Sequence, residues 1–138
     1  MENNSIFIEK LRSSGLRPTK QRLKICKLLF DRKKTFHFTI SDLSKIIKKE
    51  TDEKISLATI YNTVHSFKKK GYLKEISLNS EKSYFDTNAS NHHHFIDEST
   101  NKIVDLHVDE ISNIKIKKNL PGKKVKSVEV LVKLENSN

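Results

Sequence analysis

The stretch Ser56-Leu57-Ala58-Thr59-Ile60-Tyr61-Asn62-Thr63-Val64-His65-Ser66-Phe67 has a strong helical pattern. Its apolar residues recur at three- or four-residue intervals, and this spacing predicts one buried helix face made of Leu57, Ile60, Val64 and Phe67. Ser56 is a favoured N-cap residue, and Gly71 is a favoured stop after the last turn. The side chains that then face away from the core are those of Ala58, Thr59, Tyr61, Asn62 and Thr63. The stretch therefore predicts a helix with an exposed face that can contact a partner.

Three shorter helices are predicted before this stretch. They are marked by the stripe Ile6, Phe7 and Leu11 with Gly15 as its stop, by Pro18 in the first turn of the apolar series 23–30, and by Ser41 as an N-cap. After Gly71 the apolar period changes, and the runs 73–78 and Tyr84-Phe85 predict two strands around the turn formers Asn79-Ser80. Helices followed by a small hairpin indicate a winged helix-turn-helix, whose last helix enters the DNA major groove. A helical domain with solvated lysines is the alternative.

The charge of the chain is concentrated in this first part. The 138 residues include 27 Lys and Arg against 17 Asp and Glu, an excess that attracts polyanions such as nucleic acid. Residues 1–88 hold 19 Lys and Arg against 10 Asp and Glu, whereas residues 89–138 hold 8 against 7. The polar turn formers Asn88-Ala89-Ser90-Asn91 lie at this change of composition. We therefore predict a DNA-binding domain at 1–88 and a second domain at 89–138.

The second domain is predicted to be a small β-β-α-β unit. Short strands are expected at His94–Ile96 and Lys102–Leu106, a helix at Asp109–Lys118 and a long strand at Lys124–Leu134. The whole chain is thus expected to be of mixed α/β (α+β) class. A unit of this size buries a low fraction of its surface, so we expect two copies to pair as a homodimer.

The sequence does not favour a membrane protein or a disulfide-stabilised protein. No run approaches the ~20 apolar residues of a membrane span, and the start Met1–Asn4 lacks a signal-peptide pattern. We therefore expect a cytoplasmic protein without a membrane partner. The single cysteine, Cys26, cannot form an internal disulfide or a paired-thiolate zinc site, so a bound metal would be held by histidines and carboxylates. Cys26 itself is expected in the core.

Three consecutive histidines are the clearest candidate metal ligands. In a strand, His92 and His94 share one face while His93 points to the other, so the outer two can bind one ion. The carboxylates Asp86 and Asp105 are predicted nearby, at the end of a wing strand and in the neighbouring strand. A polar surface patch is the alternative interpretation of the histidines.

The exposed face of the helix at 57–67 offers candidate DNA contacts. A tyrosine ring can pack on a thymine methyl and asparagine can pair with adenine, so Tyr61 and Asn62 are expected in the major groove. Thr59 and Thr63 are expected beside the DNA backbone. Lys20 and Arg22 are interpreted as phosphate contacts or as part of a solvated face.

Taken in order along the chain, these segments resemble the ferric uptake regulator superfamily of bacterial metal-dependent repressors. The resemblance runs through residues 15–22, His37-Phe38-Thr39, residues 56–63, Gly71-Tyr72-Leu73, Tyr84-Phe85-Asp86, residues 92–94 and Lys102-Ile103-Val104-Asp105. The chain is most similar to the iron response regulator branch, because it has the triple histidine and lacks paired Cys-x-x-Cys motifs.

The resemblance implies a regulatory metal site and further ligands. The implied metal ligands are His37, Asp86, His92, His94 and Asp105, and three imidazoles with two carboxylates suit Fe(II), Mn(II) or Zn(II). Because these residues come from both predicted domains, one ion would join them. The resemblance also implies that His92, His93 and His94 contact haem, and that Arg17 enters a narrow minor groove.

The implied function is an iron-responsive transcriptional regulator, mainly a repressor, that binds promoter DNA as a homodimer under the control of metal, haem or both. A zinc- or peroxide-responsive regulator is the alternative within the family. Two alternatives belong to other classes: a metal-dependent hydrolase, since His and Asp clusters also build catalytic sites, and an unregulated DNA-binding protein. Hydrolysis would not need the exposed-helix pattern, so we expect no enzymatic activity.

Overall fold

The computed structural model describes residues 4–78 and 82–137. The chain divides into two compact units, Met1–Ala89 and Ser90–Asn138, one residue after the boundary expected from composition. Four helices and two small sheets are described, which confirms the mixed class. No helix among the described residues combines the length and apolar character that crossing a membrane requires.

The first unit contains the four helices and a three-stranded antiparallel sheet. Its elements are α1 Ser5–Ser13, α2 Lys20–Phe30, β1 His37–Phe38, α3 Ile40–Glu50, α4 Leu57–Lys70, β2 Lys74–Ser77 and β3 Ser83–Asp86. The sheet order is β1-β3-β2, so the predicted hairpin is confirmed and gains a third strand. That strand has two residues, too few to show a period in the sequence. The predicted turn Asn79-Ser80 lies outside the described residues.

The helix ends follow side-chain capping. The Ser56 hydroxyl accepts a hydrogen bond from the Thr59 amide, and Gly71 ends α4 with a φ of +96°, so both predicted ends of α4 are confirmed. The prediction for α3 was wrong by two residues, because Thr39 rather than Ser41 is the N-cap. Likewise Pro18 precedes α2 instead of lying in its first turn, since Thr19 caps that helix.

The core of the first unit is formed by side chains from all four helices and from β1 and β3. Its fully buried members include Leu11, Ile25, Phe38, Leu43 and Phe67. Two residues of the predicted stripes do not join it: Ile6 and Leu57 are 64% and 60% exposed. Both lie in the first turn of their helices, and periodicity marks a helix face without showing how far along that face packing extends.

The second unit is a three-stranded mixed sheet. Its elements are β4 His93–Asp97, β5 Lys102–Leu106, a short 3-10 helix Val108–Glu110 and β6 Leu131–Leu134. The sheet order is β5-β4-β6, with β4 antiparallel to β5 and parallel to β6. The two strands predicted around the turn 97–101 are confirmed.

Two predictions for this unit were wrong. The helix expected at Asp109–Lys118 is absent apart from the 3-10 turn, and the strand expected at Lys124–Leu134 forms only over its last four residues. The segment Ile114-Lys115-Ile116-Lys117 alternates apolar and charged residues, and that period of two disfavours an amphipathic helix. Residues 112–120 have no regular structure, and their side chains are exposed.

Candidate metal centre and nucleic-acid surface

The first unit brings one histidine and one carboxylate together at the edge of its sheet. His37 in β1 pairs with Asp86 in β3, and this register sets their side chains side by side. His37 Nε2 lies 3.1 Å from Asp86 Oδ2, and the Asp86 carboxylate is fully buried. The Asn88 amide donates a hydrogen bond of 2.8 Å to the other carboxylate oxygen, Oδ1. The Asp86 carboxylate is thus held in place with Oδ2 next to the imidazole.

The second unit brings together two histidines and a carboxylate. His92 Nε2 and His94 Nε2 lie 3.3 and 3.4 Å from the same oxygen, Asp105 Oδ1. The two imidazole centroids are 4.3 Å apart, and both rings are buried. The register of β4 with β5 explains this arrangement, because His94 lies directly opposite Asp105.

The hydrogen bonding of His92 suits a metal ligand. Its Nδ1 lies 2.7 Å from the Ser90 carbonyl oxygen, which can only accept, so Nδ1 carries the proton in that bond. Such a bond fixes the tautomer and directs the lone pair of Nε2 at the position that a metal would take. Neutral imidazoles and carboxylates without a thiolate form a donor set that fits Fe(II), Mn(II) or Zn(II).

His93 lies on the other side of β4. Its Nδ1 accepts a hydrogen bond of 3.0 Å from the Val130 amide, so the ring ties β4 to the segment leading into β6. The implied haem contact of His92, His93 and His94 is tested by no observation and stays a prediction. All three rings are at most 6% exposed, so haem binding would require the unit to open around them.

The predicted DNA contacts fall into two groups in the first unit. Tyr61 and Asn62 are exposed on α4. Arg17, Lys20, Arg22 and Thr59 line one groove beside the start of α4. The predicted exposure of Thr63 was wrong: its side chain is fully buried, and its hydroxyl donates to the Thr59 carbonyl oxygen over 2.7 Å. Thr63 lies three residues after Ile60 and four before Phe67, which places it on the buried stripe.

Tyr61 contacts the ring of His65, a contact that was not predicted from the sequence. The His65 ring lies one turn further along α4, 4.1 Å from the Tyr61 ring, and it meets the buried Phe85 ring edge-on at 5.7 Å. The spacing of four residues could have indicated this pair, since such side chains are neighbours on a helix. His65 therefore links the exposed Tyr61 on α4 to the β-sheet of the same unit.

Cys26 lies in the core, as expected. Its side chain is fully buried, and burial raises the pKa of the thiol to about 11, with a smaller opposing effect from the charge of Lys10. A protonated, buried thiol is a poor nucleophile and a poor metal ligand.

Comparisons with known proteins agree with this arrangement. The model of the ferric uptake regulator family matches residues 13–134. The peroxide-responsive repressor PerR of Staphylococcus epidermidis (strain ATCC 12228 / FDA PCI 1200) is 36% identical over 107 residues, which cover 78% of this chain and 69% of that protein.

Two solved structures share the fold. The ferric uptake regulator from Francisella tularensis with iron aligns with a TM-score of 0.70 at 19% identity, covering 88% of this chain and 92% of that one. The ferric uptake regulator from Pseudomonas aeruginosa with manganese aligns with a TM-score of 0.67 at 18% identity, covering 94% and 97%.

Proposed function

The chain belongs to the ferric uptake regulator family, and we propose that it is a metal-responsive repressor that binds promoter DNA as a homodimer. The observation that carries the proposal is the pair of ligand clusters, one in each unit, with imidazole and carboxylate atoms 3.1–3.4 Å apart. We also propose that the protein acts in the cytoplasm, where promoter DNA is found. The relatives described above are regulators, and we propose no enzymatic activity.

One divalent cation is proposed to bind His37, Asp86, His92, His94 and Asp105 together. Either cluster alone offers only two or three protein ligands and would leave the other coordination positions to water, whereas the two clusters together offer five. Asp86 and His92 are six residues apart, so the chain limits the distance between their Cα atoms to about 20 Å. A metal that uses both clusters would fix the orientation of one unit against the other, and through it the spacing of the two α4 helices in a dimer.

The DNA-binding part of the proposal depends on the first unit. Exposed Tyr61 and Asn62 are proposed to read base edges, and Arg17 to enter the minor groove. Lys20, Arg22 and Thr59 line the groove next to these residues and are proposed to contact phosphates.

The homodimer is proposed to form through the second unit. Apolar side chains that are 40–63% exposed on this unit are those of Val104, Val108, Ile114, Ile116, Leu120, Val125 and Leu134. So many exposed apolar groups on fewer than fifty residues are typical of an interface. A second copy of the same unit would cover them.

Two signals are candidates for the regulator. Iron supply, sensed as metal or haem, follows from the resemblance to the iron response regulator branch. Hydrogen peroxide is the second candidate, because relatives at 36% identity are named peroxide-responsive repressors. If the metal-loaded protein is the form that binds DNA, one experiment separates these two signals. Peroxide added to the Fe(II)-loaded complex should release DNA in a way that fresh Fe(II) does not restore only for a peroxide sensor, whereas release by a chelator should be restored by fresh Fe(II) in both.

The metal site is tested by replacing His92 and His94 together with alanine. Loss of outer-shell partners alone lowers metal affinity about 10- to 100-fold, so losing two ligands should lower Mn(II) or Zn(II) affinity by more than about 100-fold. In gel-shift assays with a promoter that the wild type binds, the metal-dependent shift should be lost in the double variant. His93→Ala is the matched control, since it removes an adjacent imidazole that faces Val130. Unchanged metal affinity in the double variant would refute the site.

A further inference from the structure

A strongly basic groove lies in the first unit between the C-terminal ends of α2 and α3. Seven of its twelve lining residues are Lys or Arg, and three are Asp or Glu. Four of its lysines, Lys33, Lys34, Lys48 and Lys49, are exposed, as is Arg32, which lies over the Phe36 ring. Among the residues that the structure describes, no carboxylate pairs with these four. The groove therefore concentrates positive charge that the unit does not neutralise itself.

Helix capping explains only part of this charge. Lysines in the last turn of a helix interact favourably with its carbonyl ends, and Lys27, Lys48 and Lys49 occupy such positions. Arg32, Lys33 and Lys34 do not, because they follow the end of α2 at Phe30. The helix-end lysines and the cations after α2 lie on the same groove, where they repel one another. A bound polyanion would relieve this repulsion.

The basic groove adjoins the groove that contains the proposed DNA contacts. Lys20 lines that groove, Lys24 lines the basic groove, and both ammonium groups reach the same oxygen, Glu53 Oε1, at 3.2 and 3.3 Å. Lys20, Lys24 and Lys27 also lie on one face of α2, at intervals of four and three residues. The helix rise places Lys27 about 10 Å beyond Lys20. These ammonium groups therefore form a continuous positive strip from one groove to the other, which suits a row of phosphates.

We propose that the basic groove binds the phosphate backbone of duplex DNA flanking the operator, so that each subunit holds a longer stretch of DNA than its α4 helix reads. The inference rests on the proposed DNA-binding function and extends it to a second contact surface. The contact carries no sequence information, because phosphates are the same at every base step. The phosphate contact increases the affinity and the salt dependence of the complex, while α4 determines the position of the protein on the DNA.

The test compares two duplexes and three proteins in the presence of Mn(II). The short duplex is an operator selected from a random library, about two helical turns long, and the long duplex adds about one turn on each side. The groove variant carries Lys33→Gln, Lys34→Gln, Lys48→Gln and Lys49→Gln. The control variant carries Lys45→Gln, Lys102→Gln, Lys126→Gln and Lys133→Gln, which remove the same charge from exposed positions outside the groove and outside the apolar segment 114–120.

Wild type and control should bind the long duplex about tenfold more tightly than the short one, the effect of about two additional phosphate contacts at moderate salt. The groove variant should bind both duplexes alike, and its slope of log K against log salt on the long duplex should be less steep by about 0.9 for each phosphate that it no longer neutralises. Equal reductions in affinity for the groove and control variants, or a groove variant that behaves as wild type, would overturn the inference. If the wild type selected no operator from the library, the proposed function itself would fall, and the inference with it.

Discussion

At the scale of single residues, the thiol of Cys26 gives the protein a dependence on alkaline pH. Its pKa is raised from the ordinary 9.0 to about 11 by burial, so the unfolded chain loses this proton before the folded one does. The contribution of the thiol to stability is therefore complete below pH 9 and declines as the pH rises toward 11.

Between pH 8 and pH 10 the wild type should lose about 1 kcal/mol of unfolding free energy relative to a Cys26→Ala variant, which lacks the group. Urea unfolding of both proteins at the two pH values measures this difference. Lysines and tyrosines titrate in both proteins, so their effect on the unfolding free energy cancels in the comparison. Parallel curves for the two proteins would contradict the assignment of the pKa.

His65 is expected to position Tyr61 for DNA reading. Without the His65 ring 4.1 Å away, the exposed Tyr61 side chain would sample more rotamers. His65→Ala should weaken operator binding by about 0.5–1.5 kcal/mol, the value of a ring pair. His65→Phe, which keeps a ring there, should restore most of it.

Fluorescence anisotropy with operator and random duplexes separates this role from general damage. Tyr61→Ala should cost about 1–3 kcal/mol on the operator and little on random DNA. In a Tyr61→Ala background, His65→Ala should have no further effect on operator binding. An equal effect in both backgrounds would show that His65 acts independently of Tyr61.

At the scale of elements, α3 depends on the capping box at its start. The Thr39 hydroxyl accepts from the Asp42 amide, and the Asp42 carboxylate accepts from the Thr39 amide, both at 3.0 Å. Thr39 also follows β1 directly, so the cap holds the junction from which His37 reaches Asp86.

Thr39→Ala should lower the free energy of unfolding by about 1 kcal/mol, and Thr39→Ser, which keeps the hydroxyl, should lower it by much less. Thermal unfolding followed by circular dichroism measures both. Metal affinity should fall in the alanine variant as well, because the junction next to His37 loses its anchor. A variant with wild-type stability would mean that water replaces the cap.

At the scale of the whole molecule, the exposed apolar residues of the second unit predict a dimer that polar substitution disrupts. Ile116→Glu with Leu120→Glu places two charges on side chains that are 52% and 63% exposed. Burying an unpaired charge costs several kcal/mol, so this variant should sediment as a monomer at micromolar concentration while wild type sediments as a dimer.

Ile6→Glu is the matched control, because Ile6 is 64% exposed but lies on α1 in the first unit. It should leave the dimer intact. A dimeric Ile116→Glu, Leu120→Glu variant would move the interface to another surface.

The local features of this chain could be predicted from its sequence. The helix α4, its cap Ser56, its stop Gly71 and the strands around the turn 97–101 depend on residues close together in the chain, and local preferences act at that range. The ligands His92 and His94 could be predicted for a related reason, because the period of two places them on one face of an extended segment, whereas His37, Asp86 and Asp105 were implied as ligands by the family resemblance.

Tertiary structure decided what depends on distant residues. The two-residue strand β1 exists because β3 pairs with it, and the register of that pair brings Asp86 beside His37 across 49 positions of the chain. The burial of Thr63, the exposure of Ile6 and Leu57, and the contacts of the His65 ring with Tyr61 and Phe85 likewise follow from packing. The expected helix at 109–118 did not form, because a weak helical pattern without a packing surface does not offset the entropy of ordering it. Periodicity reports which side chains share a face, and only the packed chain determines what that face meets.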